Sequence, residues 1–297
     1  MKKLFLKTLF TFAFLSLCVS FYSCEKETYN PKQKINKIYS EMLPYFPKHL
    51  SQEWFWESNK LARIDYYFGD NVGNTERYTY EKNKLVKVED DDGFFIISYD
   101  GNKYKKIEYF HSYINFSYCT WDFSYTNNKI SKIIYTETSQ FLFFNKMETG
   151  FLSTLIPKEF ISVLDEKSAK KGTEKSLDLY VCTFNYSYDG DNIKEIIMAE
   201  EYEGELFTIT YTYISYDKML NPFYKYVGLA PELISATFVT PKNNPLEVKI
   251  IYSEDNEQQL LEYSYQYEKK FPVEVEIKRT LVDENFSYSS KEYYEYQ

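Results

Sequence analysis

Apolar and polar positions alternate along most of this chain, and the alternating runs come in pairs. From Cys119 the residues Cys119, Trp121, Phe123 and Tyr125 are apolar, with Thr120, Asp122 and Ser124 between them; a polar turn follows, and a second run opens at Ile130. The segment Cys182–Glu200 repeats the unit with Cys182, Phe184, Tyr186 and Tyr188 and a second run from Ile193. Period two puts one set of side chains on one face of a strand, so the unit is a β-hairpin. Taking the last aromatic of each first strand as origin, Trp56, Tyr80, Tyr99, Tyr125, Tyr188 and Tyr267 occupy it. Five residues on stand Leu61, Leu85, Tyr104, Ile130, Ile193 and the exception Pro272; eight on stand Ile64, Val88, Ile107, Ile133, Ile196 and Val275. The turns carry Ser58-Asn59, Asn83, Gly101-Asn102, Asn127-Asn128 and Gly190-Asp191, residue types that tolerate positive φ. Lys60, Lys84, Lys103 and Lys129 follow the turns and are expected as solvated edge charges.

Outside the repeat the pattern changes. Residues 1–23 read as a signal peptide: Lys2, Lys3 and Lys7, then an apolar run from Leu4 to Val19, ending at Ser23-Cys24 before Glu25-Lys26-Glu27. This resembles a bacterial lipoprotein signal, which implies that Cys24 becomes the lipidated first residue; the alternative is an ordinary secretory signal. Residues 24–52 are expected to form a lipid-anchored tether and a short helix, because Ile35, Ile38, Tyr39, Met42 and Leu43 fall at i, i+3, i+4, i+7 and i+8 and Pro44 and Pro47 follow. Residues 53–297 form the hairpin domain, with an insertion at about 138–181 and a Pro-containing irregular segment at about 221–245. The insertion has room for a strand pair around Phe141–Phe144 and a short helix after Pro157.

Tyr99-Asp100-Gly101 and Tyr188-Asp189-Gly190, flanked by alternating tyrosines, resemble the tyrosine-aspartate (RHS-like) repeat, which implies long antiparallel sheets that coil or close. Together with the signal and Tyr216-Asp217-Lys218…Asn221-Pro222-Phe223, the chain is similar to a group of uncharacterised bacteroidete-type lipoproteins, implying an outer-membrane lipoprotein of a Gram-negative cell envelope, displayed at the surface. Only two of six turns read Tyr-Asp-Gly, so a strict repeat solenoid does not follow. More than ten strands usually curl or close. The expected fold is all-β: a large antiparallel meander curled into a barrel-like or half-barrel shell, aromatics inside, with one or two short helices plugging open ends. A membrane-spanning barrel also alternates, but its apolar face meets lipid.

Composition supports strands over helices or disorder: aromatics are 20% of 297 residues, with 32 Tyr and 24 Phe, against nine Gly and nine Pro. Without residues 1–23, which hold three lysines and no acid, the formal charge falls from −9 to −12. That balance argues against nucleic acid as partner and against adsorption to anionic lipid.

Candidate chemistry is sparse. Cys119 and Cys182 hold equivalent places in two repeats; if one strand separates theirs, they stand ~9.6 Å apart, beyond disulfide reach, so free buried thiols are expected. His49 and His111 lack metal-site spacing, and no nucleophile-elbow, phosphate-loop or dinucleotide motif occurs; no cofactor, metal or catalytic residue is assigned. The acid runs Glu89–Asp92 and Glu200–Glu205 read as solvated turns rather than calcium loops. Trp54 and Trp56 share one strand face and are candidate stacking aromatics for a sugar, against core packing. Two function classes follow: a non-enzymatic, lipid-anchored envelope protein binding a glycan or a partner protein, or a polysaccharide-acting glycoside hydrolase with two carboxylates in the shell mouth.

Overall fold

The computed structural model describes residues 29–42, 44–112, 117–138, 179–202, 205–226, 239–254 and 256–297. Sixteen strands make up the fold: β1 Ile35–Met42, β2 Phe46–Glu57, β3 Lys60–Phe68, β4 Asn71–Glu81, β5 Lys84–Glu89, β6 Gly93–Asp100, β7 Lys103–His111, β8 Cys119–Thr126, β9 Lys129–Thr138, β10 Leu179–Asp189, β11 Asn192–Tyr202, β12 Glu205–Leu220, β13 Asn243–Tyr252, β14 Gln258–Glu268, β15 Phe271–Leu281 and β16 Phe286–Tyr296. Each pairs antiparallel with its neighbours in sequence, and β16 pairs with β1 to close the barrel. Closure leaves no unpaired edge.

The hairpin repeat has a specific geometry. In all six copies the register shifts immediately before the origin aromatic, between Phe55 and Trp56, Thr79 and Tyr80, Ser98 and Tyr99, Ser124 and Tyr125, Ser187 and Tyr188, and Gln266 and Tyr267. The origin residue then faces position five, as in Trp56↔Leu61 and Tyr188↔Ile193, while position eight faces the residue two before the origin, as in Trp54↔Ile64 and Tyr186↔Ile196. A bulge inserts one residue on the second strand. That insertion is why positions five and eight, an odd number apart, both point inward. Ser58-Asn59, Lys82-Asn83 and Asn127-Asn128 take positive φ at both turn residues, the type I′ geometry whose twist matches the strands.

The inner face is the core. Trp121 (1% exposed), Phe184 (2%), Tyr186 (7%) and Ile196 (1%) lie on it together. The outer face carries ion pairs: Lys37–Glu53, Arg63–Asp65, Lys106–Glu108, Lys278–Glu262 and Lys291–Glu274 at 2.9–3.5 Å. Short of their turn-end aspartates Asp100 and Asp189, β6 and β10 lack a charge on that face, as does the middle of β12.

Two expectations are corrected. Ile35–Met42 is strand β1, not a helix, and no helix occurs among the described residues. Its i, i+3 spacing comes from register shifts at Ile35/Lys37 and Ile38/Tyr39, the same three-residue step the hairpins use. Tertiary pairing decides the conformation, because without β1 the edges of β2 and β16 would stay open. In the Pro-containing stretch, ladder pairing resumes at Asn243, and Pro245 faces Tyr216 where the β12–β13 register is irregular, a position that tolerates a missing N–H. The expected strand pair at Phe141–Phe144 and the helix after Pro157 fall outside the described residues.

Candidate functional site

The barrel has two unlike ends. At the turn end the six repeat hairpins reverse direction, and a repeating interlock joins the first five in succession. The lysine that follows one turn lies over the origin ring of the next hairpin: Lys60 over Tyr80, Lys84 over Tyr99, Lys103 over Tyr125 and Lys129 over Tyr188, at 4.9–5.2 Å. The hydroxyls of Tyr99, Tyr125 and Tyr188 donate back to the carbonyls of Leu85, Tyr104 and Ile130, at 2.7–3.0 Å. Lys103 and Lys34 reach on to Asn128 and Asn59 in the following turns, and Lys84 and Lys129 to the carbonyls of Gly101 and Gly190. These lysines are therefore stitches between hairpins, not the free edge charges that the sequence suggests. The five-residue offset between origin and partner was visible; the partnership across repeats was not.

Residues 221–226 and Tyr29 fold into this end. Tyr29 donates to the Pro222 carbonyl at 2.7 Å, and its ring packs on Trp54, Trp56 and Tyr226. Trp54 is 2% exposed, its indole covered by Tyr29, Phe223 and Tyr226. Trp56 is half-buried and donates to the Ile35 carbonyl at 2.7 Å. The two indoles share one strand face, as expected, but that face is the lumen and protein rings occupy it. Beside this plug lies a recess with a cavity of about 20 Å³, lined by tyrosines including Tyr80, Tyr99 and Tyr104, with Lys84 and Lys225 beside them.

Carboxylates enter the lumen farther from the turns. Glu76, 2% exposed, accepts the Tyr78 hydroxyl, and Tyr78 lies 3.0 Å from the Tyr226 hydroxyl of the plug. Glu292 accepts the Tyr294 hydroxyl through one oxygen, and its Oε1 has no hydrogen-bond partner. Burial pushes its carboxyl up, more than the Tyr294 hydrogen bond pulls it down. Nearer the loop end, Glu137 takes hydroxyls from Tyr118 and Tyr135, and Glu200 takes that of Tyr180 at 2.9 Å. Strands β9 and β11 flank β10; Glu137 faces Tyr180 and Glu200 faces Cys182, so their backbone positions stand about 12 Å apart, two strand spacings across and two residues along. Simple alternation shows Glu137 and Glu200 in phase with inward positions, a signal available in the sequence.

At the loop end three connections that are consecutive around the barrel expose rings: Tyr45 (74%) and Phe46 (53%) between β1 and β2, Phe68 (62%) between β3 and β4, and Phe286 (51%) between β15 and β16. Exposed apolar clusters rimmed by polar residues mark interaction sites. The two acid runs also sit at this end. The Asp90 carboxylate accepts the N–H groups of Asp92 and Gly93 at 3.0 and 2.7 Å, so it shapes the turn.

Cys119 and Cys182 are buried and unbridged, on strands either side of β9. Burial raises both thiols, which removes their nucleophilic form at neutral pH. His49 lies on β2 and His111 on β7, and the described residues contain no group of three or more His, Cys, Asp or Glu able to hold a metal.

No family model matches the chain, and no curated protein matches it. Its structure is similar to the crystal structure of a porin-like protein from Bacteroides vulgatus ATCC 8482, with a TM-score of 0.54 at 11% identity, covering 90% of this chain and 99% of that one. The fold is therefore an all-β barrel of antiparallel hairpins shared with that protein. The walls can be judged from residues alone. A membrane-spanning barrel shows an apolar band about 25 Å tall to lipid, and each Lys or Arg at mid-depth costs roughly 2–4 kcal/mol. Here ion pairs face outward, and the outer face also carries Phe55, Phe94 and Phe110 and the exposed Ile96 and Val181.

Proposed function

We propose that the chain is a non-enzymatic, lipid-anchored protein of the cell envelope whose barrel stands in water beside the membrane and binds a glycan or a partner protein at its loop end. The observation that carries this reading is the run of exposed rings Tyr45, Phe46, Phe68 and Phe286 on three successive connections. Such rings can stack on the apolar face of a sugar or bury against a partner. Anchoring follows from the Ser23-Cys24 signal, and the outward ion pairs support a barrel held at the membrane rather than within it. A glycan array probed with the mature chain and with its Phe46→Ala/Phe68→Ala variant tests the site. Binding lost in the variant supports it, and binding equal in the two overturns it. Acyl chains on the N-terminal Cys24 peptide, read by mass, test the anchor separately.

A glycoside hydrolase is the second reading, favoured by Glu137 and Glu200 on strands either side of β10. Their backbone positions are about 12 Å apart, so both side chains would have to lean toward β10 to reach the roughly 6.5–9.5 Å that inverting enzymes use. Release of reducing sugar that disappears in both Glu137→Gln and Glu200→Gln would replace the binding reading with this one.

A further inference from the structure

We infer that the turn end of the barrel is a docking surface for anionic lipid headgroups, so that the barrel stands on its hairpin turns with the loop end pointing away from the bilayer. The inference rests on the anchoring reading and adds orientation to it. Chain geometry is the first argument. Tyr29 is fixed in the turn end by its bond to Pro222 and its packing on Trp56. Only four residues separate it from Cys24, five chain steps with a reach of at most about 18 Å. Whatever holds Cys24 in a bilayer holds the turn end near its surface.

Charge is the second argument, independent of the first. Lys60, Lys84, Lys103 and Lys129 ring the turn end, and Lys82, Lys269 and Lys270 are exposed on the turns themselves. Glu57, Glu81, Asp100, Asp189, Asp191 and Glu268 offset most of this, leaving the turn end close to neutral. The described connections of the loop end carry no lysine, while Asp70, Asp90, Asp91, Asp92, Glu254 and Glu284 lie on them, and the long connection 139–178 adds six lysines and six acids, which cancel. A chain of net charge −12 is repelled as a whole by an anionic surface, but it is repelled least with its acidic end farthest away. Near the bilayer, lysines gain from the negative surface potential and acids lose. Net charge alone argues against contact with anionic lipid; at the turn end, where lysines balance acids, that repulsion is weakest.

Footprinting tests this on the full chain made in a Gram-negative host and placed on phosphatidylcholine vesicles with and without phosphatidylglycerol. A water-soluble amine reagent is expected to label Lys82, Lys269 and Lys270 several-fold more slowly when phosphatidylglycerol is present, while Lys105 and Lys278 on the outer wall keep their rate. The Lys82→Glu/Lys269→Glu/Lys270→Glu variant is expected to lose the matching protection of Lys60 and Lys103. Equal rates at both sets of lysines, or protection of Lys48 near the loop end instead, overturns the inference. If the mass of the N-terminal peptide shows no acyl chain on Cys24, the anchoring reading falls by itself. The unanchored chain at low ionic strength must then show the same turn-end protection on phosphatidylglycerol vesicles, and its absence overturns the docking surface too.

Discussion

At the turn end, six hairpins close through two-residue turns, three with positive φ at both residues and three at the first only. The first five are tied in succession by a lysine over an aromatic ring, three of the four links adding a hydroxyl-to-carbonyl bond. At the loop end the connections differ in length, expose rings, and carry acids with no described lysine among them. Stability follows from repetition: one solution, copied, places the plug and the ring ladder where every strand pair contributes. In the proposed reading, recognition falls to the end whose connections are free to differ, the usual division between scaffold and loops.

The sharpest contrast is between Trp54 and Phe286. Trp54→Ala removes a fully buried indole and the seat of Tyr29, Phe223 and Tyr226, and should destabilise by about 3–5 kcal/mol. Phe286→Ala, at an exposed ring, should stay within about 0.5 kcal/mol. Urea midpoints at unchanged slope check both. Comparable losses at the two sites would erase the distinction between a packed end and an open one.

Glycines divide the ends in another way. Gly101, at φ +58, has nothing within 4 Å of a Cβ built on it, so Gly101→Ala meets only the left-handed backbone penalty of about 1–2 kcal/mol. Gly93 has no such backbone demand, but its Cβ would come 2.3 Å from the Phe110 carbonyl oxygen. Backbone cannot move aside as a side-chain tip can. Gly93→Ala should therefore cost about 1–3 kcal/mol and shift the β6–β7 register at the loop end, visible as lost hydrogen-exchange protection at Phe94 and Phe110. A Gly93→Ala protein exchanging like the parent there would show that the loop end is not tightly seated.

How much of this was legible follows from the same physics. Alternation, the turn residues and the five-and-eight offset point to the hairpins and to the shared inner face of Trp121 and Phe184, because each is a local consequence of period two plus one bulge. The number of strands points to a barrel-like or half-barrel shell, and full closure through β1 and β16 is shown only by the fold. Strand β1 was read as a helix because a bulged strand and a helix both step by three, and the local pattern contains nothing of β16, 251 residues downstream. Trp54 and Trp56 were placed on one face correctly; that Tyr29 and residues 221–226 fold over it is a contact between distant segments. The exposed rings of the loop end have no periodicity, so only the fold shows that they are neighbours.

Glu292 sharpens the comparison from inside the lumen. Its pKa is raised in the fold, so the folded state favours the neutral acid. The contribution is fully present below the unfolded value near 4.5 and is lost as pH rises through the higher folded value. Glu292→Gln mimics the neutral form and keeps an acceptor for Tyr294. It should stabilise the protein at neutral pH by about 1.4 kcal/mol for each unit of the upward shift, with the gain vanishing at acid pH. A gain of the same size at all pH values would mean the carboxylate is not desolvated.

The smallest expected effect tests the ladder itself. Tyr188 donates to the Ile130 carbonyl at 2.7 Å while Lys129 lies over its ring at 5.2 Å. Tyr188→Phe removes the hydroxyl but keeps the ring, so it should cost about 0.5–1.5 kcal/mol, and Lys129→Ala about 0.5–1 kcal/mol. Because both groups join the same pair of hairpins, the double variant should lose less than the two added together. Phe at position 188 still offers its face to the lysine, so a residual effect of Lys129→Ala should survive in that background. Strict additivity would mean that each hairpin stands alone, and the turn end would then differ from the loop end only in the lengths of its connections.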